Sequence, residues 1–360
     1  MPHHIRTLKI AGIGAATALV VSACGGGAAD GDDVLYLPDG GGAWGEAQDQ
    51  AFFQPFAEET GVEVVLVEND ETTFMASTEA GDPPTDVVNV TGPMLANWTD
   101  GDLLDPIDHD HWEGRDLDEF DPYPMLEYVV PSLVYATQMA YVPEEIGGEM
   151  SSWEDFFDTE TFPGQRTMGE GSTLANGVFE IALLADGVEP DELYPLDYDR
   201  ALDKLSEIRP DILTFWSSGA ESVQLLADRQ VVAGAAWNGR VADVVEQDDA
   251  IEYSWDQALL YVDYWGVPAG AGNPEVAQQF IEFATRADRQ AEFAEMITYA
   301  PTNITAYDLI DEERSLMLPT APEHLDSVIP TDDGYWSEES PDGEIWSDVA
   351  IGLWNDWLAE

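Results

Sequence analysis

Short runs rich in Val, Ile and Leu alternate along the chain with longer stretches whose apolar positions recur every three or four residues. The first kind predicts buried strands and the second predicts helices with one face on a core. Val34–Leu37, Val62–Val67 and 86–90 read as strands. Between the first two, Glu46–Glu59 reads as a helix with Phe52, Phe53 and Phe56 on one face, and Gly61 as its stop. Further along, Leu174–Ala185 is an apolar helical stretch, and Asp197 caps a helix over Tyr198–Ile208 that Pro210 ends. Val231–Trp237 and Ala258–Val262 have the composition of fully buried strands. Asn273 followed by Pro274 predicts a cap and first turn opening a helix over Glu275–Thr285. Near the end, Ile345, Trp346, Val349, Leu353, Trp354 and Trp357 are spaced for one amphipathic helix docking on the body. Strands alternating with helices, without an internal repeat, predict an α/β fold with helices on both faces of its sheets. At 360 residues the chain is long for one core, so two lobes are expected.

The N-terminus breaks this pattern. Arg6 and Lys9 precede an apolar run from Ile10 to Ala23, shorter than the ~20 residues of a membrane span but suited to a signal peptide. The run ends in Val21-Ser22-Ala23-Cys24, followed by three glycines. This resembles the bacterial lipobox, whose cysteine takes up a lipid and becomes the new N-terminus. We expect residues 1–23 to be a signal peptide, Cys24 the lipid anchor and 24–32 a flexible tether. A single cysteine in the chain excludes an internal disulfide framework.

Charge narrows the function classes. Twelve Lys and Arg stand against 73 Asp and Glu, a formal net charge of -61, which excludes a nucleic-acid binder that works by neutralising phosphates. The acids are spread along the whole chain, as in a halophile's surface, and at molar salt the Debye length of about 3 Å leaves little long-range steering of ligands. With 44% hydrophobic residues and 12 Trp, the chain has ample material for cores. Nucleophile elbows, zinc-binding His-Glu-x-x-His, phosphate loops and dinucleotide fingerprints are missing from the sequence, so neither an enzyme nor a cofactor is expected. Asp108-His109-Asp110-His111 lacks the glycine turn of a calcium loop and reads as a solvated loop, not a metal site; beyond the signal peptide the one other histidine is His324.

Several segments, in this order, carry a resemblance: Phe53 to Gly61, Ser152-Trp153 through Phe157 with Phe162-Pro163-Gly164, Phe179 to Gly187, Tyr194-Pro195-Leu196-Asp197, Ala236 to Arg240, Asp263 to Pro268, and Tyr299 to Asn303. Together they resemble the extracellular solute-binding proteins of ABC importers, in particular the spermidine/putrescine-binding branch, over nearly the whole mature chain. The resemblance implies a two-lobed periplasmic-binding-protein fold of type II, with a hinge of crossing strands, a ligand cleft between the lobes and closure on binding. Lobe 1 is expected over 33–134 plus 264–303, and lobe 2 over 135–263 plus 304–360. It further implies an extracytoplasmic monomer, tethered by its N-terminal lipid, that carries a small cationic amine or amino acid to an ABC permease.

A polyamine is a string of ammonium groups on an apolar chain, so its binder needs carboxylates and aromatic faces. By resemblance, Trp44, Trp237, Tyr261 and Tyr299 fall at cleft aromatics, Asp263 at the carboxylate that grips an ammonium, and Thr91 near a hydroxyl lining the cleft. The sequence then departs from that pattern. Leu174-Ala175-Asn176-Gly177 stands where further acids are expected, with Glu180 one helical turn on, and Ala47 stands where a tyrosine is expected. Arg240 has the fork to hold a ligand carboxylate, and with Asp263 at an amine it would suit a zwitterion such as γ-aminobutyrate. Polyamine is the leading expectation and the ω-amino acid the alternative, ahead of ferric iron or a secreted enzyme.

Overall fold

The computed structural model describes residues 34–360; the expected signal peptide, Cys24 and the tether lie outside the described residues. Strand β1 (Val34–Asp39) pairs in parallel with β2 (Glu63–Glu68). The connection between them is helical from Gly42 to Thr60, four residues longer at its start than the periodicity predicts, with a π-helical turn at Asp49–Phe53. That wider turn keeps the expected apolar face on one side: Phe52 stacks on Phe293 at 5.0 Å, and Phe53 and Phe56 meet Phe280 at 5.8 and 5.4 Å. Gly61, at φ 80°, ends the helix as predicted.

The other strands form one nine-stranded sheet. They are β3 (Val88–Thr91), β4 (Leu104–Asp105), β5 (Val129–Tyr141), β6 (Arg166–Gly169), β7 (Ile212–Trp216), β8 (Ala233–Trp237), β9 (Glu252–Pro268), β10 (Ala300–Pro301) and β11 (Ile329–Pro330). Its axis is the antiparallel pair of β5 and β9, in register from Val129 opposite Gly266 to Tyr141 opposite Glu252. At one end β3 and β4 flank β9 and β10 flanks β5. At the other end β8 flanks β5, followed by the parallel strands β6 and β7. Two long strands therefore run through both halves of the molecule.

Only the middle of β9, 258–262, has the apolar composition that predicts a strand; its ends mix aromatic and acidic residues, which hides its full length. A bulge interrupts it, where Gln257 takes φ 60°. The indole of Trp153 holds this kink by donating to the Gln257 carbonyl at 2.9 Å, while the Trp153 amide donates to Gln257 Oε1 at 2.9 Å.

The apolar stretch 174–185 is not one helix. A 3-10 turn over Leu174–Asn176 is followed by Gly177 at φ 68° and then by the helix Val178–Ala185, all of whose residues are buried. The helix Tyr198–Ile208 is capped as predicted, the Arg200 amide donating to Asp197 at 3.1 Å. Asn273 is not a side-chain cap. Its amide instead donates to the Val34 carbonyl at 2.7 Å and ties β1 to the start of the helix Pro274–Ala284. At the C-terminus the helix Trp346–Ala359 docks through Trp354, which packs on Phe215 at 4.9 Å and Phe179 at 6.5 Å, and through Trp357, whose indole donates to Ser206 at 2.8 Å. The same helix touches the other half of the molecule, Ser347 donating to Asn97 Oδ1 at 3.1 Å. Among the described residues no helix is long and apolar enough to cross a membrane.

Candidate ligand-binding site

Where β5 and β9 cross from one half of the molecule to the other, Tyr135 and Tyr261 face each other in register and stack at 5.5 Å. Trp237, at the end of β8, meets Tyr135 edge-on at 6.1 Å, and Tyr299, just before β10, does so at 6.0 Å. Three of the four predicted aromatics thus surround a fourth ring that sequence reasoning placed only as a crossing point. Strand register identifies Tyr135, and register is not readable from composition. Trp44 stands apart from this stack, its indole lying against Gly40; its short helix begins at Gly42, beside the Arg240 guanidinium. Glycines make the close packing possible: a methyl on Gly239 would fall 2.5 Å from the Tyr299 ring, and one on Gly177 would fall 2.6 Å from the Tyr261 hydroxyl.

Acids line the box. Asp263 is 6% exposed, accepts from Asn89 Nδ2 at 2.9 Å through Oδ2, and has no partner for Oδ1. Burial raises its pKa to about 7. Glu180 is fully buried on the helix Val178–Ala185; Tyr194 donates to its Oε1 at 2.9 Å and Oε2 has no partner. Burial raises it too, to about 7. Two more acids escaped the sequence reading. Asp333, raised to about 8 by burial and by Asp263, leaves a buried Oδ1 unpartnered. Glu71, also raised to about 8 by burial, is instead satisfied by the Thr91 amide and hydroxyl and the Trp98 indole, at 3.1, 2.9 and 3.0 Å. The Thr91 hydroxyl is therefore committed to Glu71, and Thr91 stands opposite Asp263 in the β3–β9 register.

Arg240 is the basic counterpart. Arg6 and Lys9 lie outside the described residues; of the other ten Lys and Arg, seven pair with acids, and Arg166 and Arg209 donate only to carbonyls. Arg240 alone does neither. It is 9% exposed and its Nε is buried without a partner. Its charge is felt by Tyr299, which also feels Asp263 and Asp243; burial still raises Tyr299 to about 12. The indole nitrogens of Trp44 and Trp237 and the Tyr261 hydroxyl are likewise buried and unpartnered. Unpaired buried polar atoms are costly, and besides others such as those of Asn69, Thr85 and Trp112, several belong to residues of the aromatic box and its acids. Such a box holds a short apolar chain between a cationic and an anionic end.

His109 and His111 lie on a 3-10 turn remote from the box, His111 being 3.7 Å from Glu275, and His324 stacks on Trp255 at 4.6 Å. Among the described residues no group of three or more His, Cys, Asp or Glu is arranged to hold a metal ion.

The model of the family described as bacterial extracellular solute-binding protein matches residues 51–319 of this chain. A gamma-aminobutyric acid-binding protein of Pseudomonas aeruginosa is 33% identical over 311 residues, 84% of this chain and 87% of its own. A spermidine/putrescine-binding periplasmic protein of Haemophilus influenzae is 24% identical over 298 residues, 78% of this chain and 79% of its own. Among solved structures, a GABA receptor matches with a TM-score of 0.80 at 35% identity, covering 91% of this chain and 98% of its own.

Proposed function

The chain belongs to the bacterial extracellular solute-binding protein family, as a substrate-binding protein of an ABC importer, and from that premise we propose that its solute is an ω-amino acid of the γ-aminobutyrate type. The observation that carries this reading is Arg240, the one described basic side chain without an acid or carbonyl partner in a chain crowded with acids. A carboxylate is the partner its guanidinium lacks. Asp263 would take the ammonium, and Tyr135, Tyr261, Tyr299 and Trp237 would hold the methylenes between them. The similarity to the GABA-binding protein and the GABA receptor supports the same ligand class. The relatives are transport proteins rather than enzymes, which supports capture and delivery without turnover.

The two lobes, 33–134 with 264–303 and 135–263 with 304–360, would close over the ligand, which favours closure because it touches both. The family acts outside the cytoplasm; the lipobox-like sequence ending in Cys24 supports a lipid anchor on the outer face of the membrane.

A polyamine is the second reading, favoured by the surplus of acids: Asp263, Glu180 and Asp333 each offer one buried, unpaired oxygen against a single arginine. Calorimetric titration of the mature chain in molar salt with γ-aminobutyrate, putrescine and spermidine separates the two. Removing one partner of a buried charge pair costs about 2–5 kcal/mol, so Arg240→Gln should weaken γ-aminobutyrate at least about 30-fold. Unchanged affinity in that variant would overturn the carboxylate end of the proposal. Binding of putrescine and spermidine alone would replace it with the polyamine reading.

A further inference from the structure

Asp333 belongs to the C-terminal segment, beyond the part of the chain that the family model matches. It is held firmly. Two residues on, Tyr335 stacks on Trp346 at 5.6 Å, packs against Tyr194 at 5.2 Å and donates from its hydroxyl to Tyr198 at 3.2 Å. From there Asp333 reaches to the other half of the molecule. A methyl on Gly92, the residue after β3, would fall 2.2 Å from Asp333 Oδ2, so the carboxylate lies directly on that glycine. Its charged neighbours are Asp263, Asp332 and Glu180, and among the described residues no ion pair includes it. A cavity of about 590 Å³, between the helix Leu95–Asp100, residues 126–129 and Gly334, opens beside Asp333 and Tyr264.

We infer that Asp333 grips the ligand's ammonium together with Asp263, so that the C-terminal segment completes the binding site and selects ammonium groups that carry N–H donors. The inference rests on the amine-binding reading above and is common to both solutes considered there. Asp263 Oδ1, Asp333 Oδ1 and Glu180 Oε2 are unpaired carboxylate oxygens, Asp333 feels the charge of both other acids, and a primary ammonium has three N–H donors to share among such oxygens. A trimethylammonium has none. It would leave these oxygens unsatisfied, although the aromatic faces alone would accept it. Asp263 and Glu180 are both more than nine-tenths buried, so water is a poor substitute partner.

The test compares the wild-type chain with Asp333→Asn and Gly92→Ala, in molar salt, by calorimetric titration with γ-aminobutyrate, putrescine and the N-trimethyl analogue of γ-aminobutyrate. We expect wild type to prefer a primary amine over the trimethyl analogue at least tenfold. Asp333→Asn should lose at least tenfold for the primary amine and narrow that preference. Unliganded Asp333→Asn should melt no lower than wild type, because it relieves repulsion, whereas a structural acid would lower the melting temperature. Gly92→Ala, by displacing the carboxylate, should weaken the primary amine too. Wild-type binding with both variants within threefold of it would overturn the inference and leave the amine reading standing. Failure of wild type to bind either amine would overturn both.

Discussion

At the scale of single residues, the site is a set of acids kept short of partners. Glu71, Glu180, Asp263 and Asp333 are raised to between about 7 and 8, mainly by burial, from a normal carboxylate range near 4. The unfolded chain gives up these protons at lower pH than the folded one. Stability of the unliganded protein therefore falls as pH rises from about 4 to about 8 and levels off above. An ammonium ligand needs the ionised acids, so its affinity should rise over that same window. Melting curves at pH 5.5 and pH 8 should show the unliganded protein less stable at pH 8 and the γ-aminobutyrate-induced shift larger there. A smaller effect in Asp263→Asn would assign part of it to that acid; identical behaviour in that variant would remove Asp263 from the account. The sequence singles out Asp263 because it ends an apolar run where a lone acid is costly, and Arg240 because it follows Trp237-Asn238-Gly239 with a fork that suits a carboxylate. Asp333 and Glu71 were not. Among 73 acids, neither spacing nor pairing separates a buried carboxylate from a solvated one.

At the scale of elements, the sequence errs where chain conformation is set by distant partners. The apolar stretch 174–185 has the composition of one helix, yet Gly177 turns it at φ 68° so that Val178–Ala185 can bring Glu180 beside the box. Gly177→Ala would place a methyl 2.3 Å from Leu259 and 2.6 Å from the Tyr261 hydroxyl, at a φ that favours glycine. Overpacking and strain together cost about 2–4 kcal/mol. The variant should melt several degrees lower and bind its ligand more weakly, measured by thermal denaturation and titration; wild-type values for both would show that the turn is not needed. The kink at Gln257 was hidden for the same reason. Its conformation depends on Trp153, about a hundred residues earlier in the chain, and no local pattern announces it. Helix faces and caps depend on near neighbours, which is why Phe52, Phe53, Phe56 and Asp197 were readable.

At the scale of the whole molecule, charge and topology dominate. A net charge of -61 is compatible with a compact state when counter-ions screen it, and most of the described ion pairs have at least one exposed partner and are individually weak. The mature chain should lose cooperative melting, or melt markedly lower, on transfer from molar to dilute salt; equal melting in both would remove the halophile expectation. The alternating α/β pattern and the order of family-like segments were legible along the whole chain. The sequence left the ligand class open between a polyamine and an ω-amino acid, because the surroundings of Arg240 and Asp333 are set by tertiary packing and not by local pattern. The topology has one more consequence. During synthesis β5 emerges more than a hundred residues before β9, its main partner, and further still before β10, so the central pairing of the sheet waits for the last third of the chain. A nascent polypeptide so arranged lingers in an unfolded, threadable form, which is the form a secretion channel accepts.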